Sequence, residues 1–280
     1  MAAATLGSTP PIPATTAWIN YVRNHDDIGW AVTDEDAAQV GLSGYEHRQF
    51  LADFFSKAFS GTYAEGLVFQ ENAITRDRRT SGMTASLAGV PRAVASGDPD
   101  AVDAALDRIR LAHAIVLGWG GVPVLWMGDE LATPNDDDWA SDPAHADDNR
   151  WLHRPTMDWK AAEQRTDPDT VAGRVFVAIT SLVRTRAVTP HLHASVASEI
   201  LPVVDPGVLG VVRRHPLGPW VGLYNVTDRW RPYPMWALRE VGLDDPHDTL
   251  GYTDDAMRLT FGEDDQVWLP PWTPAWLVNP

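Results

Sequence analysis

The sequence predicts a parallel α/β region followed by an all-β module, and three observations carry that expectation. Two short apolar runs, Trp18 to Val22 and Val122 to Met127, each end in a burst of polar and acidic residues: Asn24-His25-Asp26-Asp27 after the first, Gly128-Asp129-Glu130 after the second. Between them an amphipathic helical pattern runs from Asp98 to Leu117, the kind of crossover that two parallel strands of one sheet require. After Ser198 the texture changes to short apolar runs at 199–204, 208–213, 220–225 and 266–269. Pro, Gly, Asp and Asn separate them, as in antiparallel strands joined by turns.

Residues 1–15 contain Pro10, Pro11 and Pro13 and are expected to form a disordered lead-in, because proline opposes regular structure. The run from Trp18 reads as a buried strand. Its carboxyl end delivers groups that a buried strand tolerates only in a polar site, as at the active-site rim of an α/β barrel. The competing reading is an Asx turn in which Asp26 and Asp27 cap the next helix. Thr33 before Asp34-Glu35-Asp36 has the form of a capped helix start. From Tyr45 to Phe59, Phe50, Leu51, Phe54, Phe55 and Phe59 make a helical aromatic face. Residues 60–97 are Gly-, Thr- and Arg-rich and irregular, which marks a functional insertion more than a connector.

In the helix over 98–117, Val102, Leu106, Ile109, His113 and Val116 share a stripe, and His113 reads there as a hydrogen-bonded core histidine. The acidic stretch 135–151 reads as a solvated rim loop. Its aspartates lack the alternating ligand spacing of a calcium loop, so no metal site is expected. Val171, Val175, Ile179, Leu182 and Arg186 align on a further amphipathic helix, and a domain boundary is expected near Thr189-Pro190.

With 280 residues the chain can bury a substantial core. A net charge of −16, with Lys57 and Lys160 the only lysines, argues against a nucleic-acid partner, which needs clustered cations. No apolar run is long enough to span a membrane, no signal peptide is visible, and there is no cysteine, so a cytoplasmic location is expected. Thirteen tryptophans in an acidic chain point to a neutral polyhydroxylated ligand, since flat apolar rings meet sugar faces well. No cofactor is expected.

The run from Ala17 to Trp30 resembles the seventh-strand signature of the α-amylase family of glycoside hydrolases, family 13, and more narrowly its amylosucrase-type members. The resemblance continues through Asp34-Glu35-Asp36-Ala37-Ala38, Gly44-Tyr45-Glu46-His47-Arg48-Gln49-Phe50 and Arg79-Thr80-Ser81-Gly82. It extends to Gly128-Asp129-Glu130 and to Asn135-Asp136-Asp137-Asp138-Trp139 with Asp148-Asn149-Arg150-Trp151-Leu152-His153-Arg154-Pro155. It implies the last strands and helices, 7 and 8, of a (β/α)8 TIM barrel over 16–189, an insertion after strand 7 at about 33–97, and a C-terminal β-sandwich over 190–280.

By the same resemblance Asp26 is the transition-state stabiliser that contacts glucosyl hydroxyls, with His25 beside it. Asp27 and Arg79 hold the fructosyl half of sucrose, Arg150 closes the floor of the glucosyl pocket, and Arg48 lies along the acceptor path. A carboxylate accepts charge-assisted hydrogen bonds from vicinal hydroxyls, and these strengthen as the ring becomes oxocarbenium-like. For each arginine a structural ion pair is the competing reading in a chain rich in aspartate.

A retaining glycosidase needs two carboxylates about 5 Å apart, a nucleophile and an acid/base. The family draws these from its fourth and fifth strands, and neither strand has a match here; Glu130 matches an eighth-strand position instead. The expectation is therefore the C-terminal portion of an amylosucrase-like α-glucosyltransferase. Its substrates are sucrose and an α-glucan. The portion is inactive and aggregation-prone alone, and active only with a complementing N-terminal chain. Alternatives are a non-catalytic carbohydrate-binding protein, or a fragment of a related sucrose hydrolase or trehalose-forming enzyme.

Overall fold

The computed structural model describes residues 1–13, 15–251, 258–262 and 264–280; Ala14 of the lead-in and residues 252–257 and 263 of the C-terminal module lie outside them. The chain opens with a short helix, α1 (Ala2–Gly7), which departs from the disordered lead-in expected over 1–15. Ala3 and Leu6 pack on a core cluster built by later elements, and that burial holds a helix too short to persist alone. The Pro-rich sequel does stay irregular.

After β1 (Ile19–Asn20), α2 (Asp34–Ala38) begins at Thr33, whose hydroxyl accepts the Asp36 N–H. Ser43 does the same for Glu46 at the start of α3 (Gly44–Phe55), and Phe54 meets Phe50, Phe55, Phe59 and Tyr63 in an aromatic cluster. Residues 60–97, expected to be irregular, contain an antiparallel hairpin of β2 (Leu67–Glu71) and β3 (Arg78–Ser81), then α4 (Thr84–Leu87) and α5 (Val90–Ser96). Periodicity misses β3 because Arg-Arg-Thr-Ser has no apolar alternation. Backbone pairing holds it, helped by Arg78, which donates to Gln49 and Asp53 of α3.

Asp98 caps α6 (Pro99–Gly118), whose buried stripe packs against α5 and a later helix. The chain then forms β4 (Val122–Pro123), parallel to β1 with Ile19 opposite Val122. The parallel order is as expected; the burial is not. Ile19 is 66% exposed, and Trp18, Tyr21, Val122 and Met127 are exposed too. A parallel pair is covered only when further strands and helices flank it, and among the described residues these two strands form a sheet of two.

Two helices follow, α7 (Trp159–Glu163) and α8 (Val171–Val188), the second crossing α6 with Val175 and Ile179 buried. The C-terminal elements are β5 (Glu199–Ile200), β6 (Val208–His215), β7 (Gly218–Asn225), β8 (Arg231–Pro234), α9 (Met235–Arg239), β9 (His247–Asp248), β10 (Thr260–Phe261), β11 (Gln266–Leu269) and β12 (Pro274–Val278). They make two antiparallel sheets, one ordered β5-β6-β7-β12-β9 and the other β10-β11-β8. Val212, Val221, Leu223 and Leu277 of the first meet Tyr233, Val267 and Leu269 of the second in one dry core.

The other face of the larger sheet packs on α6 and α8. Trp220, Tyr224 and Trp276 lie against Leu111, Ala114, Leu117 and Leu182. Gly118 makes the approach possible, since a Cβ there would collide with the Tyr224 hydroxyl. The carbonyls that end α6 have no helical partner. Arg213 of β6 donates to those of Gly118 and Trp119, and Arg186 of α8 to that of Leu117. Within the described residues no helix is long and apolar enough to cross a membrane.

Candidate functional site

The site grows from the carboxyl end of β1. Arg23 turns inward. Its Nε donates to Asp129 Oδ1 at 3.0 Å and its Nη atoms to the carbonyls of Asn24, His153 and Met127. Both charged side chains are sealed, 1% and 2% exposed. Burial pushes the arginine down and the carboxyl up, while their mutual attraction opposes both shifts. His113 stands behind them with Nδ1 at 2.8 Å from the Ile109 carbonyl, the hydrogen-bonded core histidine its stripe suggested. This cluster ties the end of β1 to the turn after β4. Sequence reading gave Arg23 no role; a cation inside an apolar strand run was the available signal.

Beyond Arg23 the backbone makes an Asx turn in which the Asn24 carboxamide oxygen accepts the Asp26 N–H at 2.8 Å. Asn24, not the aspartates, supplies the turn. Asp26 and Asp27 are thereby left for other partners. Arg150 Nη1 donates to Asp26 Oδ1 at 2.8 Å and lies 4.0 Å from Asp27, and Arg79 Nη1 donates to Asp27 Oδ2 at 3.2 Å. Asp148 grips the other edge of the Arg150 guanidinium, whose face lies over the Phe69 ring.

The two neighbouring carboxyls are pushed apart electrostatically. The Arg150 hydrogen bond holds Asp26 well below the usual carboxylate range, and burial raises Asp27, which is 6% exposed and sits beside the Asp26 charge. Arg150 rises in turn through its bonds to Asp148 and Asp26. His25 is exposed, with its ring 5.1 Å from that of Trp126.

Three segments supply this array: the turn after β1, the hairpin carrying Arg79, and a 3-10 turn, Asn149–His153, carrying Arg150. The acidic loop is pinned at both ends, because Asn135 Nδ2 donates to the Glu65 carbonyl and Asn149 Nδ2 to that of Val68. Of the six residues singled out from sequence, Asp26, Asp27, Arg79 and Arg150 meet here, while the His25 ring lies beside them against Trp126. Arg48 does not join the Asp26 group: it donates to Asp77 at 2.7 Å, to the Val32 carbonyl and to Asp34. It does line, with Arg79, Trp30, Gln70 and Asn72, an open cleft of about 870 Å³. Glu130 is folded back, its Oε2 accepting the Gly128 N–H.

The catalytic module of the glycogen-degrading pneumococcal virulence factor SpuA shares the fold with a TM-score of 0.52 at 14% identity, over 70% of this chain and 34% of that one. AmyP in complex with maltotriose gives 0.48 at 14% identity, over 69% and 38%. A trehalulose synthase mutant in complex with Tris gives 0.43 at 15% identity, over 61% and 38%. The chain thus spans little more than a third of the length of these structures. Residues 198–278 match the family model of the amylosucrase C-terminal domain, so the module of two antiparallel sheets is of that type.

Proposed function

We propose that this chain forms the glucosyl-binding wall and acceptor-side rim of an amylosucrase-like retaining α-glucosyltransferase, which moves the glucosyl group of sucrose to an α-glucan. In this reading β1 and β4 are the seventh and eighth strands of a (β/α)8 barrel, residues 33–97 are the insertion, and the C-terminal sheets are the β-sandwich. The observation that carries it is the alternating Asp26–Arg150–Asp27–Arg79 array at the carboxyl end of β1.

Asp26 is kept ionised by Arg150 and half exposed, so its free lone pairs accept two vicinal sugar hydroxyls. These bonds strengthen as positive charge builds on the ring, which makes Asp26 a stabiliser of the transition state. His25 offers a directional donor beside it, and Arg150 closes the pocket floor. Asp27 and Arg79 hold the leaving half, and the cleft shared by Arg79 and Arg48 receives the acceptor. The nucleophile and acid/base come from a complementing N-terminal chain, since Asp26 and Asp27 are committed to arginines and Glu130 to a backbone N–H. The exposed faces of Trp18, Ile19 and Val122 are the surface that chain covers.

Calorimetric titration of the 280-residue chain with sucrose and maltotriose, against Asp26→Asn, tests the reading. Binding that falls about tenfold or more in the variant is expected, the weight of one charge-assisted hydrogen bond. No heat with either sugar overturns the sugar wall, and fructose released from sucrose by the chain alone overturns the need for a second chain. The engagement of Asp26, Asp27 and Glu130 by their own partners favours a second reading, a non-catalytic carbohydrate-binding protein. That reading requires binding without turnover even when the complementing strands are supplied.

A further inference from the structure

One buried side chain touches all three segments of the charged array. His153 ends the 3-10 turn that carries Arg150 and is 2% exposed. The Gly82 N–H, immediately after the β3 strand that carries Arg79, donates to its Nδ1 at 3.0 Å. Its Nε2 lies 3.1 Å from the His25 carbonyl, in the segment that carries Asp26 and Asp27. A backbone N–H only donates and a carbonyl only accepts, so the ring is held as the neutral tautomer with its proton on Nε2. Arg154 Nε adds a second donor to the same His25 carbonyl at 2.8 Å, and Arg23 donates to the carbonyl of His153 itself. Ser81 to Asn149 and Asn149 to Val68 join the turn to the hairpin, and a two-bond backbone bridge between Ile28 and Thr80 joins the hairpin to the segment after β1.

We infer that His153 is the positioning residue of the site: its Nε2-protonated ring keys the Asp26, Arg79 and Arg150 segments together. Removing either ring bond loosens the pairing of Arg150 with Asp26, while the Ile28–Thr80 bridge keeps Arg79 beside Asp27. The consequence for ligands rests on the sugar-binding reading above; the latch does not.

A second proton is excluded by geometry, because it would sit on Nδ1 and point at the Gly82 N–H. The surroundings agree. Burial pushes His153 down to about 4, Arg23 after β1 and Arg154 beside the ring add to that, and the His25 carbonyl bond and Asp26 oppose it. Arg150 and Asp148 of its own turn pair with each other, and Arg79 beyond Gly82 pairs with Asp27. The latch therefore holds at neutral pH and opens as pH falls toward about 4. Asp27 also titrates in acid, so a pH profile of binding alone does not isolate His153.

The test is imidazole ¹⁵N spectroscopy of the intact chain at pH 7, with amide exchange at Gly82, in the native protein and in His153→Asn and His153→Gln. Asn keeps an acceptor near the Nδ1 position and loses the donor to His25; Gln keeps the donor and loses the acceptor. The expected result is an Nε2-protonated ring in the native chain and a protected Gly82 amide in the native chain and in His153→Asn. Protection falls at least about tenfold in His153→Gln, and sucrose binding weakens about tenfold in both variants. A proton on Nδ1, a charged ring at pH 7, or a Gly82 amide that exchanges alike in all three overturns the latch. If the variants do not fold, the native tautomer decides alone. If the native chain binds no sugar, the sugar wall falls while the spectrum and exchange still judge the latch.

Discussion

The two strands that carry the candidate site and the strands of the C-terminal module are built from similar residues and end in opposite circumstances. Ile19, Trp18 and Val122 are exposed beside a two-stranded parallel pairing. Trp220, Val221, Trp276 and Leu277, with the same kinds of side chain, have no exposed surface at all. The antiparallel strands find both neighbours within a few dozen residues and close two faces, one on the smaller sheet and one on α6 and α8. Parallel strands reach neighbours only through long crossovers, so a short stretch of such a sheet cannot cover itself. Stability in this chain sits with the second region, and the charged array sits on the first.

Arg213 joins the two regions, and its loss should have the largest effect. Arg213→Met strips donors from the carbonyls of Gly118, Trp119, His193 and Val196, each costing about 1–3 kcal/mol when buried and unpaired. Calorimetry should resolve one unfolding transition into two; a single unshifted transition would break the view that this side chain couples the regions. Next comes the sealed core. Leu223→Ala should cost about 2–5 kcal/mol in denaturant unfolding.

Acid should move the two regions in opposite directions. His153 has a folded value near 4, below the unfolded one, so its contribution is full at neutral pH and is lost as pH falls from about 6.5 toward about 4. Asp248, half-buried in the C-terminal module, is pushed up to about 6 by desolvation, so its charged form is penalised at pH 7 and the module gains as pH falls through that value. Site-resolved amide exchange at pH 7 and pH 5 should show protection falling near Gly82 and rising near Trp276, whose N–H Asp248 accepts. Parallel changes in both would defeat the contrast. Smallest is Ile19→Thr, within about 0.5 kcal/mol because the side chain is already wet. Light scattering should show less self-association, and a large destabilisation would mean that the strand is covered in solution.

Much of this is legible in the amino-acid order alone. Thr33 and Asp98 announce their helices because capping depends on residues two or three positions away, and the stripe of α6 follows from spacing alone. The same holds for the polar burst after β1 and for the turn-rich texture past Ser198. Pairing is another matter. Arg150 meets Asp26 across 124 residues of chain, while Arg48, equally eligible on paper, is drawn to Asp34 and Asp77. An arginine chooses among many aspartates by where its segment is held, and that is settled by hydrogen bonds such as those of His153 and Arg23, which no spacing reveals.

The sequence by itself determined the helices α2, α3, α6 and α8, the parallel order of β1 and β4, and the polar residues that follow β1. Only the tertiary structure decided that β1 lies open, that α1 exists, that an arginine-rich stretch pairs as a hairpin, and which of the two carboxyls is pushed down and which up. Local elements are set by near neighbours along the chain. Burial, partner choice and protonation are set by what the rest of the molecule brings close.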